Sequence, residues 1–260
     1  MNEIMDKDYY IITFPRSGTH WLMVMLMKYF KLHFDLKYSD RDIMSIKSLV
    51  RNIDKLPNFI MQHEDHPAMK MPNELMTSKY QFEYKKVILF IRDPRDILVS
   101  HYFWRVNRDR DKSMLYNGSI SDFVKDKERA GNIDSLIKYY NIWINNRNIP
   151  KEFSVLRYEK LHEDTYGELV KVLKFLDIEE INSEYIKEAI EFGSFENMHN
   201  LESQRFFSKN SAKKRKVGMP ESYLIRKGKV GEYKNYLNEE DIEYVDEQIQ
   251  RLDDYFNFYK

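Results

Sequence analysis

The 260-residue chain predicts an α/β fold: a mostly parallel central sheet with helices on both faces, three layers in all. Two patterns carry this expectation. Four short apolar runs rich in β-branched and aromatic residues, at 9–14, 58–62, 85–91 and 153–157, have the length of buried strands. Most are followed by segments whose apolar residues recur at helical spacing. Strands alternating with helices build parallel sheets, with ligands at the carboxyl ends of the strands. At this length one large domain over 1–260 is expected.

The first run, YYIITF, leads through a compact loop with one glycine, 15–19, into a helix apolar on nearly every face from Trp21 to Met27. Residues 37–57 read as a connecting helix of mixed charge. The second run ends in HEDHP, and the third, KKVILFI, is the clearest buried strand. Asp93 followed by Pro94 is a helix start, an N-cap residue with proline at the first helical position. Residues 105–132 are charged and weakly periodic, and read as a surface loop with a short helix over 120–127. Helices follow at 134–147, 166–176 and 183–192, with the strand FSVLR after the first. The stretch 201–231 has few core residues, contains KKRK at 213–216, and is expected to be a mobile lid. Ile242, Val245, Ile249, Leu252 and Phe256 define a terminal helix over 239–256.

Lys plus Arg and Asp plus Glu both number 42, so no global field attracts nucleic acid or an acidic membrane surface. Basic function must be local. The absence of cysteine excludes disulfides, thiolate metal sites and a cysteine nucleophile. The first residues, MNEIMDKD, lack a signal-peptide core, and no apolar run reaches the length of a membrane span. A cytoplasmic protein is expected, without membrane or nucleic-acid partners.

Chemistry concentrates in three places. The loop PRSGT sits between a strand and a helix, where unpaired N–H groups and the positive end of the macrodipole favour an anion. Gly18 lets the backbone approach closely, and Arg16, Ser17 and Thr19 add a guanidinium and two hydroxyls. Arg92 ends the strongest strand, and Ser100, eight residues on, shares a helix face with residue 93. RKGKVG, with Arg226, Lys227 and Gly228, offers paired cations and a glycine that close over a phosphate. A GxxxxGK[ST] nucleotide loop is not present, which argues against a P-loop kinase or NTPase. That rival reads VILFIRD as a strand ending in a Mg²⁺-binding Asp93.

These three elements, in this order, resemble the sulfotransferases that use 3′-phosphoadenosine 5′-phosphosulfate (PAPS) and release 3′-phosphoadenosine 5′-phosphate (PAP). FPRSGTHW is similar to that family's 5′-phosphosulfate loop, IRDPRDILVSHY to its 3′-phosphate strand and helix, and RKGKVG to its closing motif. The resemblance spans most of the chain and implies a P-loop-like three-layer sandwich. It assigns Arg16, Ser17, Gly18 and Thr19, with His20 beside them, to the phosphosulfate, and Trp21 to stacking on adenine. It assigns Arg92, Ser100, Arg226, Lys227 and Gly228 to the 3′-phosphate. Tyr158, Phe195 and Met198 match nucleoside and adenine contacts. His63 matches the family's general base, which takes a proton from an acceptor hydroxyl or amine. Arg16, where many members have lysine, would stabilise charge on the bridging oxygen.

Two departures stand out. Met61 and Gln62 replace the Lys and Thr that often precede the catalytic His, so a second cation must come from elsewhere. KNYLNEEDIEY lacks the Thr-Val core of the family's dimer motif, so a monomer is expected. His66 remains an alternative base. No metal is assigned, because His63, Glu64, Asp65 and His66 lack a third-ligand scaffold. Glu64 and Asp65 point to a cationic acceptor and the many aromatics to a flat one. A catalytically silent nucleotide-binding protein is the remaining alternative.

Overall fold

The computed structural model describes residues 8–37, 39–40, 56–107, 115–204, 223 and 225–260. Four strands form one parallel sheet among these residues: β1 (Tyr9–Thr13), β2 (Phe59–Gln62), β3 (Lys86–Ile91) and β4 (Glu152–Arg157), in the order β2-β1-β3-β4. Side-chain alternation along the strands divides the core in two. Ile11, Ile88 and Phe90 face one layer, while Tyr10, Ile12, Val87, Leu89 and Ile91 face the other. The first layer holds α1 (Thr19–His33) together with two later helices. The second begins with α2 (Pro94–Asn107), α3 (Ile120–Lys125) and α4 (Ile133–Asn145). After β4 come α5 (Tyr158–Glu163), α6 (Thr165–Phe175), α7 (Ser183–Phe192), α8 (Phe195–Ser203) and α9 (Glu239–Ile249). Leucines and other apolar residues of α6 and α7 join α1 in the first layer, and α9 joins the second.

The sheet and the helices on both its faces match the expected architecture, and strand bounds agree to within one residue. The terminal helix is shorter than its apolar spacing predicts. It stops at Ile249, and Asp253 caps a separate 3₁₀ turn, Asp254–Phe256. Leu252 and Phe256 are still buried, so burial continues where the helix does not. The segment after β2 runs through 3₁₀ turns at Pro67–Met69, Pro72–Glu74 and Tyr80–Phe82. The connecting helix expected over 37–57 and the KKRK run at 213–216 lie almost wholly or wholly outside the described residues.

Candidate active site

The carboxyl ends of β1, β2 and β3 open onto a cavity of about 1240 Å³. Gly18 N-caps α1 at φ 100°, a left-handed conformation suited to glycine. A Cβ there would come within 2.7 Å of the Tyr158 ring. Arg16 also takes a positive φ, 79°, which aims its side chain out of the turn. Its Nε donates to Ser100 Oγ at 3.0 Å. Arg16 and Ser100, assigned from sequence to opposite ends of a nucleotide, therefore touch.

Arg92 is fixed from several sides. The Tyr140 hydroxyl brackets its backbone, accepting from the N–H and donating to the carbonyl, each at 3.0 Å. The Arg92 guanidinium stacks over the Tyr158 ring at 4.2 Å. It donates to the Arg16 carbonyl at 3.3 Å, the Lys229 carbonyl at 3.1 Å and the Asp96 carboxylate at 3.3 Å. Asp93 caps α2 by accepting from the Arg95 N–H at 2.9 Å. Its carboxylate also pairs with the Arg95 guanidinium, so Asp93 is engaged structurally.

His63 follows the last residue of β2. Its Nδ1 lies 3.1 Å from the Thr13 carbonyl and 2.7 Å from the Thr13 hydroxyl. A carbonyl only accepts, so the neutral tautomer that satisfies it carries the proton on Nδ1 and the lone pair on Nε2. Asp65 and His66 both adopt positive φ and turn the chain sharply after His63. Glu64 and Asp65 are directed away from the cavity. Glu64 is 8% exposed and pairs with Lys79, itself 1% exposed, at 2.7 Å. Burial pushes the Glu64 carboxyl up from its ordinary value, against the pull of Lys79. Asp65 binds Lys70 and accepts from the Met76 N–H. The expectation that these two carboxylates meet a cationic acceptor is therefore corrected: both are consumed in holding the turn.

Every nucleotide-site residue named from sequence lines this one cavity except Ser17, which is fully buried under the loop and does not line it. Its hydroxyl is not presented there, because the turn directs that side chain inward. Trp21 lines the cavity with its ring 5.6 Å from Tyr158, edge on, and so is not simply a core residue. Arg226 lies over Phe103 and Tyr236, at 4.6 and 4.8 Å. Gly228, at φ 63°, leaves room for Phe195, whose ring a Cβ would meet at 2.7 Å. His63 and His66 both line the cavity, as do Phe195, Met198, Lys227 and His20.

Sequence reasoning missed Met69, Trp104 and His162, whereas Asp96 is among the acidic residues it offers as partners of Arg92, and the pair is present. The His162 ring donates from Nε2 to the Gly228 carbonyl at 3.0 Å. Trp104 follows the α2 motif by a few residues, and its helical spacing from Ser100 was the available signal. The expected lid is only partly described: its first residues belong to α8, and 225–231 form a wall of the cavity.

Comparison with known proteins bears on this geometry. A family model described as a sulfotransferase domain matches residues 6–255. The chain belongs to that sulfotransferase family. Among its relatives, mouse Sulfotransferase 2A6 is 26% identical over 95% of this chain and 84% of its own length. Rabbit amine sulfotransferase is 24% identical over 95% and 81%. Among solved structures, mouse sulfotransferase SULT7A1 complexed with PAP matches with a TM-score of 0.63 at 19% identity, over 98% of this chain and 88% of that one. Retinol dehydratase in complex with androsterone and PAP matches at 0.62 and 20%, over 95% and 81%. The enzyme is thus a sulfotransferase, and the kinase reading is not favoured. No described helix of this sulfotransferase is long and apolar enough to cross a membrane.

Proposed function

We propose that this sulfotransferase takes its sulfuryl group from PAPS and passes it to a hydroxyl of a neutral small molecule. One observation carries the donor assignment. In a chain of zero formal charge, the described lining holds five cationic side chains, Arg16, Arg92, Arg226, Lys227 and Lys229, against two carboxylates, Glu191 and Glu232. That local surplus fits a ligand with anionic groups at two ends. The 15–19 loop would hold the 5′-phosphosulfate, with Arg92, Ser100 and the 226–228 segment on the 3′-phosphate. Trp21, Tyr158, Phe195 and Met198 would bracket the nucleoside.

PAPS supplies a sulfuryl group on a good leaving group. His63 Nε2 takes the acceptor's proton as the acceptor oxygen forms its bond to sulfur. Arg16 stabilises negative charge on the bridging oxygen as the bond between that oxygen and sulfur breaks. The acceptor is read as neutral because Glu64 and Asp65 are engaged elsewhere and the cavity lining outside the proposed nucleotide site includes Ala68, Met69 and Trp104. A cytosolic setting and a single domain complete the proposal. Support for the setting comes from relatives such as Arabidopsis thaliana Cytosolic sulfotransferase 12.

Two measurements test this reading. Calorimetry should show PAP binding in preference to ATP with Mg²⁺; the reverse preference overturns the donor assignment. On a responsive acceptor, His63→Ala should lower kcat by about 10²-fold or more, the usual contribution of a general base. A rate within a few-fold of wild type, or faster sulfation of primary amines than of phenols and sterols, would overturn the base or the acceptor class respectively. PAP binding with no sulfation across that panel would favour a silent binding protein.

A further inference from the structure

The segment 225–233 contributes Ile225, Arg226, Lys227, Gly228, Lys229 and Glu232 to the cavity wall. Only its last two residues belong to a regular element, the 3₁₀ turn Glu232–Asn235. Its placement therefore depends on tethers from elsewhere in the fold. On the α2 side, beside the ring contacts of Arg226 with Phe103 and of Arg95 with Tyr233, the hydrogen-bonded tether is a carboxylate. Asp96 lies in the first turn of α2, and its side chain is fully buried. A carboxylate withdrawn from water is costly unless donors replace the lost hydration. Asp96 has three: Arg92 Nη2 at 3.3 Å, the Gly231 N–H at 2.9 Å and the Tyr233 N–H at 3.0 Å.

Two of those donors come from residues 135 and 137 positions later in the chain. The third is the guanidinium that also reaches the Lys229 and Arg16 carbonyls. Asp96 thus binds both the arginine read as a 3′-phosphate ligand and the backbone beside the other cations of that site. Gly231 takes φ 75°, which turns its N–H toward the carboxylate. A carboxylate already fills this pair of N–H groups, so a ligand phosphate is left to the cationic side chains in front of them.

We infer that Asp96 is a positioning residue for the 3′-phosphate. It holds the Arg92 guanidinium and the 229–233 backbone in fixed relation before the nucleotide arrives. This rests on the PAPS reading above. Asp96→Asn keeps the size of the side chain but sets an amide donor against donors it previously accepted from. One end of the site then loses its register, while the 15–19 loop meets the change only through the Arg92 bond to the Arg16 carbonyl.

The test compares two ligands on two proteins by calorimetry. For wild type, PAP should bind more tightly than 5′-AMP, which lacks the 3′-phosphate. For Asp96→Asn, PAP affinity should fall by about 10-fold or more, the scale of one lost hydrogen bond to a charged group. Affinity for 5′-AMP should change by less than about 3-fold. If wild type fails to distinguish the two ligands, the PAPS reading fails first. If wild type distinguishes them and the variant binds PAP as wild type does, only the role of Asp96 is overturned. Equal losses for both ligands, as from a general packing defect, also overturn it. Should the variant not fold, hydrogen exchange on wild type decides: the Gly231 and Tyr233 amides should be protected without nucleotide, and exchange at unstructured rates would refute the tether.

Discussion

At the scale of single residues, long-range partners decide what a side chain is for. Glu64 and Asp65 stand beside His63 in sequence, and their use follows from Lys79, Lys70 and the Met76 N–H. No local pattern announces a lysine buried 15 positions away, so the sequence reading of an acceptor contact was wrong. His63 was legible because it ends an apolar run, whereas its tautomer depends on Thr13 of the neighbouring strand. His101 shows a different consequence of burial. Burial first, then the Arg129, Arg105 and Arg16 guanidinium groups, hold its pKa well below the ordinary 6.5. It is neutral in the folded protein, accepting from Arg105 Nε at 3.3 Å. A depressed folded pKa contributes stability above the unfolded value and loses it as pH falls. Below about pH 6.5 the unfolded chain alone takes up this proton, worth about 1.4 kcal/mol per pH unit at the limit. Urea midpoints should drop between pH 7 and pH 5, and His101→Gln, which retains an acceptor for Arg105, should flatten that drop. An unchanged slope in the variant would show that other groups carry it.

At the scale of elements, the turns after β1 and β3 are built to fixed tolerances. Gly18 combines a left-handed backbone with a ring packed where a Cβ would stand. Gly18→Ala should raise the Kd for PAP by about 10-fold or more, since the left-handed conformation alone costs roughly 1–2 kcal/mol before any displacement of Tyr158. Calorimetry on the folded variant measures this, and unchanged affinity would mean that the loop relaxes at little cost. The junction of β3 and α2 was readable because Asp93 and Pro94 are unambiguous start signals. Its support was not: Tyr140 and Glu159, which accepts from the Asp93 N–H at 2.8 Å, come from distant elements. Helix α8 escaped notice for another reason. Its sequence, FENMHNLES, is mostly polar, and one buried Met and one buried Glu give no apolar stripe. The overextended terminal helix is the opposite error, because a helical spacing of buried residues persisted past the point where the backbone changed course.

At the scale of the molecule, the four-stranded sheet brings together segments from residue 15 to residue 232 around one cavity. Two of the three motifs were legible where a strand meets a loop, and the third, RKGKVG, by its paired cations and glycine; their mutual contacts, such as Arg16 with Ser100, needed the folded chain. A ligand touching the ends of β1 and β3 and the 225–233 segment adds bonds between parts of the chain far apart in sequence. PAP at 100 times its Kd should therefore raise Tm, since binding to the native state alone adds about 2.7 kcal/mol, or roughly 5–10 °C for a chain of this size. Thermal melts with PAP and with equimolar 5′-AMP check this; equal shifts would argue against a 3′-phosphate site. The strand order adds a constraint of length. Neighbouring strands are about 4.8 Å apart, and β1 lies between β2, which His63 follows, and β3, which Arg92 follows. The backbones at His63 and Arg92 are therefore about two such spacings apart, about 10 Å across the carboxyl edge of the sheet. On the roles proposed for these two residues the sheet acts as a ruler: a donor whose two anionic ends are separated to match it spans the edge, so selection begins with molecular length before any single contact is made.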